Sequence, residues 1–156
     1  MRRTDKEIQD RAEIDAIIRG CQVCRLALAV ENEPYIVPVS FGYDGASLFF
    51  HSAASGRKID FLESNNRVCF ELDRNVRLQT DAKTACKWTF AYESVIGYGR
   101  ASELTDPAQK TRGIDQVMLH YSGRVWELDA SMLERTRVWK IAIDSLTGKR
   151  SEEKAS

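Results

Sequence analysis

Only two histidines, His51 and His120, and four cysteines, Cys21, Cys24, Cys69 and Cys86, occur in the 156 residues. That scarcity leaves little with which to build a metal centre. Zinc would want a second close pair beside Cys21 and Cys24, and the other two cysteines are isolated in the sequence. The Cys21-Gln22-Val23-Cys24 spacing also suits a redox pair. Such pairs sit at helix N-termini, where the dipole depresses the thiol pKa, whereas this one follows Gly20 at the predicted end of a helix. A structural role is therefore expected, with the thiols reduced. An excess of one charge is missing too. Lys+Arg and Asp+Glu are both 23, so the net charge is zero, and a general nucleic-acid binder would carry a basic excess. No apolar run approaches a membrane span, and the start Met1-Arg2-Arg3-Thr4-Asp5-Lys6-Glu7 lacks the apolar core of a signal peptide. The expectation is a cytoplasmic protein with neither membrane nor nucleic-acid partners. No Ser/His/Asp order, paired-carboxylate pattern, Walker loop or dinucleotide glycine fingerprint stands out.

What is present suits one domain over residues 1–150, followed by a charged tail at 151–156. Thr4-Asp5-Lys6-Glu7 reads as a capping box with Thr4 as N-cap, opening a helix that carries Ile8, Ile14, Ile17 and Ile18 and stops at Gly20. The period then changes to two. Strands are predicted at 24–30, 35–43 and 47–51, joined by the polar turn Glu31-Asn32-Glu33 and by Asp44-Gly45. In the second strand Tyr35, Val37, Val39, Phe41 and Tyr43 form a bulky face, while Ile36, Pro38, Ser40 and Gly42 form a smaller one. Pro38 lacks an N–H, which places that strand at an edge or makes it irregular there. A helix opens at Arg57 and stops near Asn65-Asn66. A strand at 67–72 and a polar loop at 73–83 follow. A long bent strand at 88–104 has Gly97 and Gly99 marking a bulge or a close approach. Asp106-Pro107 starts a helix that runs to Gly123, and a last strand covers 137–143. Six strands joined mostly by hairpins, with helices between, predict a mainly β, α+β fold: an antiparallel barrel with peripheral helices.

The most informative stretch is Phe49-Phe50-His51-Ser52-Ala53-Ala54-Ser55-Gly56-Arg57-Lys58-Ile59-Asp60-Phe61-Leu62. It reads as a strand that stops, a small polar loop, and a helix that starts. The first N–H groups of a helix have no internal partner and the dipole is positive there, so cations in the first turn are locally unfavourable. Arg57 and Lys58 make sense if an anion occupies the spot, and phosphate is the usual candidate. The competing reading is a solvated basic face. His51 could act as a proton donor or serve as a hydrogen-bonded structural group. His120, late in a helix, suits a structural role. Ser40 and Gly42 could make room for a flat ring, or could allow close packing against a helix or a partner subunit.

Three segments together resemble the flavin-binding split-barrel proteins related to pyridoxamine 5′-phosphate oxidase, and within them the nitroimidazole-resistance (5-nitroimidazole reductase-like) group. They are Val37-Pro38-Val39-Ser40-Phe41-Gly42-Tyr43, Phe50-His51-Ser52-Ala53-Ala54-Ser55-Gly56-Arg57-Lys58 and Tyr92-Glu93-Ser94-Val95-Ile96-Gly97-Tyr98-Gly99-Arg100-Ala101. The resemblance spans nearly the whole chain. It implies a homodimer of split β-barrels with FMN at two sites between subunits. By the same resemblance Arg57 and Lys58 would hold the FMN phosphate with help from Ser52, while Pro38, Val39, Ser40 and Phe41 would run along the flavin ring. His51 would lie near the cofactor, and Ser94 and Val95 would approach it, from the partner subunit. The arginine-containing C-terminal substrate segment of true pyridoxamine phosphate oxidases has no counterpart from Thr147 to Ser156. The implied activity is therefore flavin-dependent reduction of a small-molecule electron acceptor such as a nitroaromatic, and a nicotinamide donor is compatible with it. The alternative is a non-enzymatic flavin or haem binder or sensor in the same barrel.

Overall fold

The computed structural model describes residues 4–152, so the outermost part of the expected tail, 153–156, and Met1, Arg2 and Arg3 lie outside the described residues. The first helix starts later than the capping box suggests. Thr4–Lys6 is a single 3-10 turn, and Glu7–Ile8 (β1) pairs with Lys149 and Gly148 of the last strand. Helix α1 covers Arg11–Gly20, and its true N-cap is Asp10, whose Oδ1 accepts the Ala12 N–H at 2.9 Å. Ile14, Ile17 and Ile18, at i, i+3 and i+4, form its buried stripe.

Cys24–Val30 (β2) and Glu33–Val39 (β3) form a hairpin in full register. Its two turn residues, Glu31 and Asn32, both have positive φ (49° and 69°), the geometry that a two-residue hairpin turn demands. The strand predicted to run on to Tyr43 breaks instead. Gly42–Tyr43 (β4) pairs with Ser47–Ser52 (β5), not with β2. The Phe41 N–H, which a continuous ladder would use, donates to Tyr121 Oη at 3.1 Å. The chain therefore crosses from one end of the sheet to the other within Ser40-Phe41.

Arg57–Ser64 (α2) is followed by two long strands, Arg67–Gln79 (β6) and Thr89–Leu104 (β7). The segment 73–83, polar enough to read as a loop, continues β6 as far as Gln79. It is carried by pairing with β7 beyond an irregularity between Arg74 and Arg77. The bulge predicted around Gly97 and Gly99 is present as a register shift between Tyr98 and Gly99. Pro107–Ser122 (α3) is capped by Asp106, with Pro107 in the first turn and Gly123 left-handed at the C-cap, as the sequence indicates. A short helix, Ala130–Arg135 (α4), was not expected; Asp129 caps it. The last strand, Arg137–Ser151 (β8), is twice the expected length, and Ser151 belongs to it and not to a tail. Its polar second half is held by pairing with both β7 and β1.

All pairings are antiparallel, in the order β3-β2-β6-β7-β8-β5-β4, with β1 off that path on β8. The hydrogen-bonded path is open, since β3 and β4 at its ends do not pair with each other, so it is a mainly antiparallel open sheet and not a closed barrel. The main core joins α1 and α2 to one face, through Ile17, Ile18, Leu26, Phe41, Phe50, Phe70 and Ile141 among others. A smaller core of Phe49, Leu104, Val117 and Val138 lies under α3 on the other face. Helix α3 comes so close that a Cβ on Gly42 would lie 2.3 Å from the Gln116 carbonyl carbon. No helix among the described residues is long and apolar enough to cross a membrane.

Candidate functional site

Strand β5 alternates. Leu48, Phe50 and Ser52 point to the main core, while Phe49 and His51 point to the face that α3 partly covers. The β4–β5 pairing ends at Gly42 and Phe49, so Ser40 lies in the crossover between β3 and β4. Ser40 and His51 are exposed, as is Pro38 of β3. Val39 and Phe41 face the core, 7% and 1% exposed, and Phe41 has already committed its N–H. Of the four residues expected along a flat ring, Pro38 and Ser40 can thus offer side chains and the other two only backbone.

At the start of α2 the structure differs from the starts of the other three α-helices among the described residues. Asp10, Asp106 and Asp129 each cap α1, α3 and α4 with a side-chain oxygen, but the N-cap of α2 is Gly56, which has no side chain to offer. Its φ of 136° and ψ of 165° belong to glycine alone, and a Cβ there would meet nothing within 4 Å. Gly56 O accepts the N–H groups of Ile59 and Asp60, and among the described residues no side chain caps the first turn, where the Arg57 and Lys58 N–H groups lie. This donor set fits a phosphate: first-turn N–H groups, a positive dipole end, two cations and open space.

The two cations sit differently. Lys58 is half-buried with its Nζ 5.5 Å from the centre of the Phe50 ring, and it makes no ion pair among the described residues. Burial holds its pKa below the ordinary lysine value. Arg57 instead lies over the rings of Tyr35 (5.0 Å) and Phe61 (5.4 Å) and ion-pairs with Glu33. His51 retains exposed ring surface, yet desolvation by its surroundings, and then the Lys58 charge, lower its pKa below 6.5.

Ser52 is 9% exposed and inward. Its hydroxyl accepts Trp139 Nε1–H at 3.2 Å and donates to the Ala53 carbonyl at 3.0 Å, so its one proton is committed within the loop. Arg137 ties the same loop down. It donates to the Ala54 carbonyl at 3.4 Å, pairs with Glu63 of α2 at 2.8 Å, and binds Glu103 of β7. Trp139, Arg137, Glu33, Tyr35 and Phe61 were not singled out from the sequence. Trp139 had a visible signal, as the large residue on the inner face of the last strand; the ion pairs join residues far apart in the chain and had none.

Ser94 and Val95 do not join this cluster in one chain. His51 pairs with Val138, which pairs with Leu104 at the far end of β7. Ser94 lies ten residues back along that strand, on the order of 30 Å of backbone. Ser94 is half-buried on the outer face, and Val95 is fully buried in the core. His120, expected to be structural, has its Nε2 2.8 Å from the Cys21 carbonyl and its ring 4.3 Å from Phe41. Cys21 and Cys24 are free, buried thiols whose pKa values burial raises, that of Cys21 to about 11. No group of three His, Cys, Asp or Glu side chains suited to a metal is found among the described residues.

A family model described as pyridoxamine 5′-phosphate oxidase matches residues 10–150. An uncharacterized protein of Rhizobium meliloti is 28% identical over 132 residues, covering 85% of this chain and 72% of that protein. The crystal structure of a candidate 5-nitroimidazole antibiotic resistance protein from Bacteroides thetaiotaomicron superposes with a TM-score of 0.80 at 29% identity, covering 94% of this chain and 90% of that one. An FAD and haem binding protein from Mycobacterium smegmatis shares the fold, with a TM-score of 0.84 at 18% identity over 97% of this chain and 76% of that one.

Proposed function

The chain belongs to the pyridoxamine 5′-phosphate oxidase family, and we propose from that premise that it is an FMN-dependent reductase of a small electron acceptor such as a nitroaromatic. The observation that carries the reading is the start of α2, an uncapped helix N-terminus with Arg57 and Lys58 in its first turn and His51 beside it. In this reading the two cations and the first-turn N–H groups hold the FMN phosphate. Pro38 and Ser40 line the ring with side chains, Val39 and Phe41 with backbone. Ser52, whose proton stays inside the loop, shapes the cradle through Trp139 and does not donate to the ligand. When bound, the flavin would supply the electron-transfer chemistry. The lowered pKa of His51 keeps its ring largely neutral near pH 7, so it serves as a hydrogen-bonding group at the site's edge. The likeness to the nitroimidazole resistance protein supports the substrate class.

The same reading makes the protein a homodimer. The outer face of the sheet carries Ile36, Ala27, Cys69 and Tyr98 in one cross-strand row, with Ile96 and Phe90 further along β7. Ile36 is 63% exposed and Tyr98 50%, an apolar surface larger than single scattered side chains. Burying it against a second copy would bring one protomer's Ser94, which shares that face, toward its partner's cradle. The experiment is anaerobic. FMN-loaded protein is reduced with a nicotinamide donor, and a nitroaromatic is then added. Reoxidation with one product equivalent per flavin supports a reductase; a flavin spectrum that neither reagent changes makes the protein a passive binder.

A further inference from the structure

Glu33 opens β3 and lies 24 residues from Arg57 in the sequence, yet its carboxylate holds the Arg57 guanidinium through Nη2. Tyr35 and Phe61 flank that guanidinium and fix where it stands. A phosphate at the start of α2 would meet two cations in different states: Lys58 without an ion pair among the described residues, and Arg57 already holding one. The Glu33 and Arg57 side chains are 63% and 56% exposed, so their pair is solvent-screened and can exchange. Resting on the flavin reading above, we propose that Glu33 is a built-in competitor for the flavin phosphate. It neutralises Arg57 in the ligand-free chain and sets the affinity for a phosphate monoester below what Arg57 and Lys58 alone would give.

The competition acts on the phosphate and not on the ring, and it acts through Arg57. Both properties can be read separately. FMN and riboflavin share the ring and differ in the phosphate, so the ratio of their dissociation constants isolates the anion site. Each is titrated into cofactor-free protein and followed by flavin fluorescence, for the parent, Glu33→Gln, Arg57→Ala and the double variant. Circular dichroism confirms the fold of each. Glu33→Gln is expected to tighten FMN binding by about two- to five-fold, the range open to a solvent-exposed ion pair. Riboflavin binding should not change. In the Arg57→Ala background the same substitution should have no effect on FMN, because the cycle closes through the missing guanidinium. FMN binding that is unchanged or weakened in Glu33→Gln overturns the proposal, and so does an equal gain without Arg57. A parent protein that binds FMN no more tightly than riboflavin would overturn the anion site itself, and the competitor with it.

Discussion

Replacing Gly42 by alanine distinguishes two uses of the small-residue face that the sequence leaves open, room for a flat ring or room for a helix. An alanine Cβ would lie 2.3 Å from the Gln116 carbonyl carbon, 2.5 Å from its oxygen and 2.5 Å from the Val117 nitrogen. All three are backbone atoms of α3, so no side chain can turn away. Restoring ordinary contact, which begins at 3.4 Å, moves the helix or β4 by about 1 Å. That movement loosens Val117 from Phe49, Leu104 and Val138, and strains the Tyr121 bond to the Phe41 N–H. Overpacking of a well-packed site costs roughly 1–3 kcal/mol, and a rigid backbone opponent puts this one at the upper end, about 3 kcal/mol. In a chain of this size that is a fall in Tm of about 6–12 °C. Urea unfolding followed by far-ultraviolet circular dichroism measures it. A loss below about 0.5 kcal/mol would show that α3 does not rest on Gly42. Unchanged stability with abolished FMN binding would give the position to the ring instead.

Glu93 makes a second prediction. It accepts from Arg74 at 2.7 Å, Asn75 at 2.9 Å and Arg150 Nε at 2.9 Å, and its side chain is 13% exposed. Glu93→Gln should cost about 1–3 kcal/mol, because two arginines lose their shared carboxylate. The hydrogen bonds from Arg150 and Arg74 hold the folded-state pKa of Glu93 below 4.5 despite burial. Its stabilisation is therefore full above that value and fades as pH falls through the lower folded pKa, so parent and variant should converge on acidification from pH 5 to 3; a constant gap would sink the assignment. In the native protein at pH 7.5 a thiol reagent should label exposed Cys86 and leave buried Cys21 and Cys24 unmodified, and modification of Cys21 as fast as Cys86 would contradict its raised pKa. The ring protons of His51, followed by NMR, should titrate below 6.5, and Lys58→Met should raise that midpoint by removing the neighbouring charge; no movement would place Lys58 elsewhere.

The elements legible in the sequence are those that local chemistry decides. Asp106-Pro107 and Gly123 bounded α3, Pro38 marked its strand as an edge or an irregular one, and the glycines of β7 announced its bulge. The misreadings share one cause, which is tertiary pairing overriding local composition. Arg74 to Gln79 has no buried residue, and Asp144 to Ser151 buries only Gly148 and Ser151, with Leu146 packed against the core, so neither segment carries an alternating apolar pattern to read. Thr4 lost its helix because Glu7 and Ile8 found partners in β8, more than a hundred residues away. At the site, the anion-binding potential of Arg57 and Lys58 was visible from dipole and charge alone. The attachment of Arg57 to Glu33, and of the loop to Arg137 and Trp139, was not, because these contacts join residues distant in the chain.

The central claim is that the start of α2 holds the flavin phosphate, and Lys58 is its cation without an ion pair among the described residues. The direct measurement is the FMN affinity of Lys58→Ala beside the parent, with circular dichroism to confirm the fold. Loss of a charge-assisted contact of about 1.5–3 kcal/mol predicts a dissociation constant raised roughly ten- to a hundred-fold. A folded Lys58→Ala protein that binds FMN as tightly as the parent would contradict the account.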